Sequence, residues 1–143
     1  MRHHARGAAY CWGGNQFGQL GDGTTAASAV PKQVSGGGSF IDVAVGLEHG
    51  CALTTGNRAM CWGQNTGPQI QGQLGDGTMT SRLAPVAVAR DLAFVELRAG
   101  RAFTCKRTAD GKINCWGDNR FRQLGAGMIS FNSSRPVGVA GVP

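Results

Sequence analysis

Apolar and polar residues alternate along this chain in short bursts, with no helical spacing anywhere. Ile41-Asp42-Val43-Ala44-Val45-Gly46 and Val95-Glu96-Leu97-Arg98-Ala99-Gly100 each run to a glycine with period-two alternation, which predicts half-buried strands. A second strand follows in each place, Gly50 to Thr54 and Phe103 to Thr108. A three-residue turn comes next, Thr55-Gly56-Asn57 or Ala109-Asp110-Gly111, and then a third strand running into Trp62 or Trp116. Asn and Gly tolerate the positive φ such turns require, so both segments read as β-hairpins. A last short strand is expected at 30–34, 84–88 and 135–139. Each holds a proline (Pro31, Pro85, Pro136), which places it at a sheet edge.

The elements recur because the sequence does. Cys11-Trp12-Gly13, Cys61-Trp62-Gly63 and Cys115-Trp116-Gly117 are each followed by an Asn and then by Gln19-Leu20-Gly21, Gln73-Leu74-Gly75 or Gln123-Leu124-Gly125. The heptapeptide GQLGDGT occurs twice, at 18–24 and 72–78, and its Asp-Gly pair demands a turn. Starts 50 and 54 residues apart, with four extra residues between Asn65 and Gln73, give a period of about 50. Four short strands per period describe β-propeller blades. The expectation is an all-β partial propeller of about two and a half to three blades: a partial first blade over 1–39, a second repeat over 40–90 and a divergent third over 91–143.

Composition changes this picture little. The chain has 143 residues and 24 glycines, but the glycines recur at repeat positions and so argue for turns over disorder. No apolar run of 18 residues exists to span a membrane as a helix, and Met1-Arg2-His3-His4 lacks the apolar core of a secretory signal. The net charge of +6 is local. Residues 98–122 hold seven basic and two acidic side chains, while 1–57 and 58–97 are each balanced at three and three. That confines any electrostatic contact to the third repeat and makes nucleic-acid binding an unfavoured reading.

The WG-N-GQLG core, the Pro-x-x-Val stretches and the segment Val43-Ala44-Val45-Gly46-Leu47-Glu48-His49-Gly50-Cys51-Ala52-Leu53 resemble the regulator of chromosome condensation repeat family. The third repeat departs from the pattern. There Ala102 is read in place of the histidine, Lys106-Arg107 replaces Ala-Leu, and GQLGDGT becomes RQLGAGM. The resemblance implies a closed propeller, usually of seven blades. Aligning Cys11 with Cys115 starts this chain inside a hairpin, so it reads either as a segment of a longer propeller or as a chain that completes a ring with its own copies. Open blade edges would favour self-association in either case. Partners implied by the resemblance include small GTPases undergoing nucleotide exchange, chromatin, and a secreted enzyme held inhibited.

Cys51 and Cys61 are ten positions apart and symmetric about their hairpin turn, as are Cys105 and Cys115. Opposed strand residues come within disulfide reach, so each blade is expected to be stapled across its hairpin, with buried reduced thiols as the alternative. Cys11 lacks such a partner and reads as a free thiol or an intermolecular link. Zinc ligands sit closer together than this and need more than one His49, so no metal or other cofactor is expected. Paired cysteines favour an extracellular or cell-surface location, and a cytoplasmic one if they are reduced. An Ala, Gly, Val and Arg bias suggests a bacterial source.

No nucleophile, base and acid recur together, Asp22 and Asp76 belong to turns, and Gly36-Gly37-Gly38 lacks the lysine and helix of a phosphate loop. The expected function is therefore non-catalytic binding of another protein, its identity open. Nucleotide exchange on a small GTPase and chromatin contact through the basic third repeat are the alternatives. His49 reads as a structural residue bonding backbone in its own turn, and Trp12, Trp62 and Trp116 as filling between adjacent sheets. Candidate partner contacts are the basic residues that do not recur (Arg98, Arg101, Lys106, Arg107, Arg120 and Arg122) and Ile70 in the inserted loop.

Overall fold

In the computed structural model, which describes residues 2–3, 7–36, 38–68, 71–90, 93–127 and 130–141, three antiparallel sheets stack face to face. The first holds β1 (Arg2–His3), β2 (Ala9–Gly13) and β3 (Ser28–Gln33) in that order. The second runs β4 (Phe40–Val45), β5 (His49–Thr54), β6 (Ala59–Gly63) and β7 (Arg82–Ala87). The third repeats that order with β8 (Phe94–Ala99), β9 (Phe103–Thr108), β10 (Ile113–Asp118) and β11 (Asn132–Gly138). Central strand β5 is buried along nearly its whole length, whereas proline-bearing β3, β7 and β11 lie at sheet edges. Contacts between neighbouring sheets include those of β4 with β8 and β1 with β4, one strand at or near the same edge of each sheet. This is the stacking of propeller blades.

Each pair of sheets encloses its own core. Ala9, Cys11, Leu20, Val34, Phe40, Ala52 and Trp62 pack between the first and second. Leu53, Leu74, Phe94, Leu97 and Trp116 pack with others between the second and third. The indole is the centre of each junction. Trp62 Nε1 donates to Gln19 O at 3.1 Å and Trp116 Nε1 to Gln73 O at 2.9 Å, in both cases reaching the preceding repeat. Room for the ring comes from Gly21 and Gly75, where an added Cβ would approach the indole to 2.7 and 2.5 Å. Trp12 is an exception to the filling role read from sequence. It is 41% exposed because no sheet among the described residues lies on its side of β2 to cover it.

The tryptophan also marks a break in register. In all three sheets the pairing with the last strand slips between the Cys and the Gly of Cys-Trp-Gly, a β-bulge. Beyond the bulge a long loop is organised by one buried asparagine. Asn65 Oδ1 accepts from Leu74 N at 3.0 Å while its Nδ2 donates to Thr78 O and Thr80 O. Asn15 does the same with Leu20 N, Thr24 O and Ala26 O, and Asn119 with Leu124 N and Ser130 O. A single amide thus satisfies several backbone groups that no strand could reach.

Cys51 opposes Cys61 and Cys105 opposes Cys115 in register, each pair disulfide-bonded with Cα atoms 4.1 Å apart. Cys11 is free and buried, and burial pushes its thiol up to about 12.

Gly75→Ala should lower stability by about 2–4 kcal/mol, since the methyl meets Trp116 and the residue holds φ of +67°. Gly23→Ala, at φ +84° with open space around it, should lose only the conformational part, about 1 kcal/mol. Thermal unfolding that gave the two variants equal midpoints would remove the indole from its central place. Reduction of both disulfides should cost about 2–3 kcal/mol for each loop closed, read as a drop in denaturation midpoint on adding reductant.

Candidate functional site

Antiparallel order sends the β4–β5 and β8–β9 turns and the long loops after β6 and β10 to one end of the blades, and the tight turns at 55–57 and 109–111 to the other. On the loop end of the third blade, Asp118 closes β10 and is 6% exposed. Arg120 donates to it from Nε at 2.9 Å, from Nη2 at 3.0 Å and from its backbone N at 3.2 Å, and Gln123 Nε2 donates at 3.0 Å. Burial by itself would raise the Asp118 carboxyl. The hydrogen bonds and charge of Arg120, with Gln123, outweigh it and hold the group below the usual carboxylate range.

This ion pair forms a ridge between two clefts. One, of about 510 Å³, is lined by Pro68, Gln71, Asp118, Arg120, Phe131 and Asn132 and lies where the inserted loop of the second blade meets the third, with Asn132 Nδ2 donating to Gln71 Oε1 at 2.9 Å. The other, of about 330 Å³, has Arg101, Phe103, Phe121 and Gln123 among its walls. Phe121 is 82% exposed and Phe131 72%, one on each side of the ridge, and the Arg120 guanidinium lies 5.8 Å from the Phe121 ring centroid.

The basic residues singled out from sequence do not form one patch. Arg101, Arg120 and Arg122 lie on the loop end, all exposed. Arg98 and Arg107 lie on β8 and β9, where both pair with Glu96, at 2.5 and 3.0 Å, and Arg98 also reaches Asp42 of the second blade at 3.6 Å. The hydrogen bond from Arg107 and the charge of Arg98 hold Glu96 below its ordinary value. Lys106 corrects the sequence reading outright. It is 2% exposed, with its ammonium 3.3 Å from the Phe94 ring centroid and 5.3 Å from that of Trp116. It occupies the register position of Ala52, which faces the core between the first and second sheets, and its stem lies correspondingly in the core between the second and third, so it is no surface contact. Ile70 lies outside the described residues. Asp118, Phe121 and Phe131 were not singled out; the signal for Phe131 was an aromatic set between Ser130 and Asn132 in a polar loop.

His49 also differs from expectation. Its Nε2 lies 2.9 Å from Thr104 Oγ1 on the next blade, and Thr104 Oγ1 donates to Gln73 O at 3.2 Å. With the hydroxyl proton used there, His49 is the donor and its ring is neutral, bridging blades instead of capping its own turn. Its register equivalent in the third repeat is Phe103, not Ala102: His49 opposes Gly63 as Phe103 opposes Gly117.

Comparison with known proteins agrees with this architecture. Family models described as "Regulator of chromosome condensation (RCC1) repeat" match residues 6–53, and 40–69 with 94–123. The chain belongs to this repeat family. It is 33% identical over 129 residues to the human E3 ubiquitin-protein ligase HERC2, covering 86% of this chain and 3% of that one. Human WBSCR16 superimposes with a TM-score of 0.82 at 21% identity over 96% of this chain, and yeast RCC1 (Prp20) solved bound to Kap60 with 0.78 at 19% over 92%. This chain spans about a third of either solved structure.

Full burial lowers His49 from 6.5 to about 4. The unfolded chain therefore binds the proton first as pH falls, and the stability of the neutral ring is present above pH 6.5 and lost down to about 4. At ~1.4 kcal/mol per pH unit this is on the order of 3 kcal/mol. Denaturation midpoints should fall across that window, and His49→Phe, copying the third blade, should flatten the fall. An unchanged slope in the variant would assign the effect to other groups.

Proposed function

We propose that this chain is a non-catalytic protein-binding propeller module whose contact surface is the loop end of the third blade. The observation that carries the reading is the pair of exposed phenylalanines, Phe121 and Phe131, on either side of the anchored Arg120. Large apolar rings rimmed by guanidinium groups are the composition of contact hot spots. The ridge between them is rigid, since Asp118 accepts four hydrogen bonds, and a preformed contact loses little ordering entropy on binding. A relative of the same fold was solved bound to a protein, Kap60, which supports a protein partner. Disulfides in both four-stranded blades support residence in an oxidising compartment.

A photo-crosslinking residue at position 131 should capture a discrete protein in the cells or medium of the source. The same residue at position 56, in the tight turn at the opposite end, should not. Equal capture from both ends, or none from 131, would remove the reading. Nucleotide exchange is checked separately by release of labelled GDP from small GTPases; acceleration by the chain would replace this proposal.

A further inference from the structure

The two disulfides are alike in sequence spacing and unlike in surroundings. Cys51 and Cys61 are both 0% exposed, sealed between the second and third sheets with Phe94, Leu97 and Trp116. Cys105 faces away from that junction. Along β9 the residues turned toward the second sheet, Thr104, Lys106 and Thr108, are buried, whereas Phe103, Cys105 and Arg107, turned away from it, are half-buried or exposed. The outward face of the third sheet also differs from that of the second. Arg98 and Arg107 stand at the register positions of Ala44 and Leu53, two residues of the junction core. Arg122 stands where the other two Gln-Leu-Gly turns have Gly18 and Gly72, and it closes the same turn, accepting from Gly125 N at 3.1 Å. At Gly18 and Gly72 an added Cβ would come within 2.9 Å of Leu83 Cα and 3.0 Å of Ser134 Cα, both in the last strand of the next sheet. Arg122 carries that Cβ, so a sheet stacked on the third as the third is on the second would collide with it. Residues 98, 107 and 122 therefore suit a sheet whose outer face meets solvent.

Independently of the protein-binding reading, we propose that the Cys105–Cys115 disulfide is a thiol-exchange site for small thiols and dithiols, while Cys51–Cys61 remains a structural staple. The incoming thiolate attacks Cys105 Sγ in line with the S–S bond. A bond forms between its sulfur and Cys105 Sγ, the Cys105–Cys115 bond breaks, and the electron pair leaves on Cys115 Sγ, which takes a proton from water. With a dithiol, the second thiolate closes a cyclic disulfide and displaces Cys105 as a thiolate, so two electrons pass from the dithiol to the protein. Cys105 is the sulfur attacked because the two lines of approach differ. Beyond Cys105 stands its other register partner, Arg98, which pairs with Glu96 and has a side chain 70% exposed. Beyond Cys115, itself 2% exposed, stands the half-buried Val137 of β11. The open line is the first. At the other disulfide the position opposite Cys51 is Ala44, buried in the junction core, where a leaving thiolate would be stranded among apolar side chains.

The test incubates the folded 143-residue chain with dithiothreitol, quenches samples at intervals with N-ethylmaleimide, and maps the labelled cysteines by mass spectrometry. Cys105 and Cys115 should take up label about tenfold or more faster than Cys51 and Cys61. With reduced glutathione in place of the dithiol, the first trapped species should carry glutathione on Cys105 and maleimide on Cys115. In denaturant neither pair is covered, and since both span the same sequence separation of 10 they should open at like rates. That control places the difference in the fold. Equal rates in the folded chain, earlier opening of Cys51–Cys61, or a difference that persists undiminished in denaturant would overturn the inference. Glutathione trapped first on Cys115 would overturn the direction of attack. None of these results bears on capture from position 131, so the two proposals stand or fall separately.

Discussion

The contact between an indole and the glycine of the blade before it is what the rest of the structure depends on. A four-stranded sheet of this length has a face it cannot cover, and Trp62 and Trp116 cover it by reaching across to the Gln-Leu-Gly turn of the preceding repeat. The contact is dry and directional at once. The ring lies where a Cβ on Gly21 or Gly75 would stand, and its N–H finds the carbonyl of Gln19 or Gln73. Every other recurring feature serves that geometry. The bulge at Cys-Trp-Gly turns the ring out of the strand, the asparagine holds the receiving loop in shape, and the hairpin disulfide fixes the strand pair from which the ring projects.

Because the junction is made by so few residues, the rest of each repeat is free to vary, and the third blade shows how far. Its Lys106 replaces an alanine inside the junction core and is tolerated there by lying across Phe94 and Trp116, where ring faces attract the ammonium. Its Phe103 takes over from a histidine that elsewhere bridges blades. The second and third blades thus solve one packing problem twice with different chemistry, and Thr104 of the third supplies the acceptor that His49 of the second requires.

The fold was legible because propeller blades repeat their constraints. The strands expected at 41–46, 50–54, 95–100 and 103–108 form within a residue or so of those limits, since alternation and turn chemistry are local signals. The last strands start earlier than expected, at Ser28, Arg82 and Asn132, because the bulge feeds them ladder partners that no periodicity announces. The surface was far less legible. Counting charges grouped Arg98, Lys106 and Arg107 with Arg101, yet strand alternation sends neighbours in sequence to opposite faces and an acid eleven residues away decides which cations are neutralised. Trp12 carries the same lesson. Identity of sequence with Trp62 does not confer identity of environment, because burial is supplied by the neighbouring blade and is no property of the repeat itself.

Separating these cations by face resolves what the charge imbalance means. On β8 and β9 each arginine meets Glu96, and Asp42 extends that pairing across the junction, so the positive charge there is structural and helps hold two blades together. At the loop end of the third blade Arg101, Arg120 and Arg122 are exposed, and Asp118 is buried beneath Arg120. Exposed pairs such as those of Arg98 and Arg107 are a small addition to a junction that the indoles hold. The Arg120 guanidinium, held by Asp118 between two open phenylalanine rings, is different in kind, since its own chain fixes it in place. Divergence from the repeat is therefore informative only after the sheet has assigned each residue a side: at 98 it adds a contact with Asp42 of the second blade, at 107 a pair with Glu96 of its own sheet, and at 101, 120 and 131 exposed side chains on the loop end.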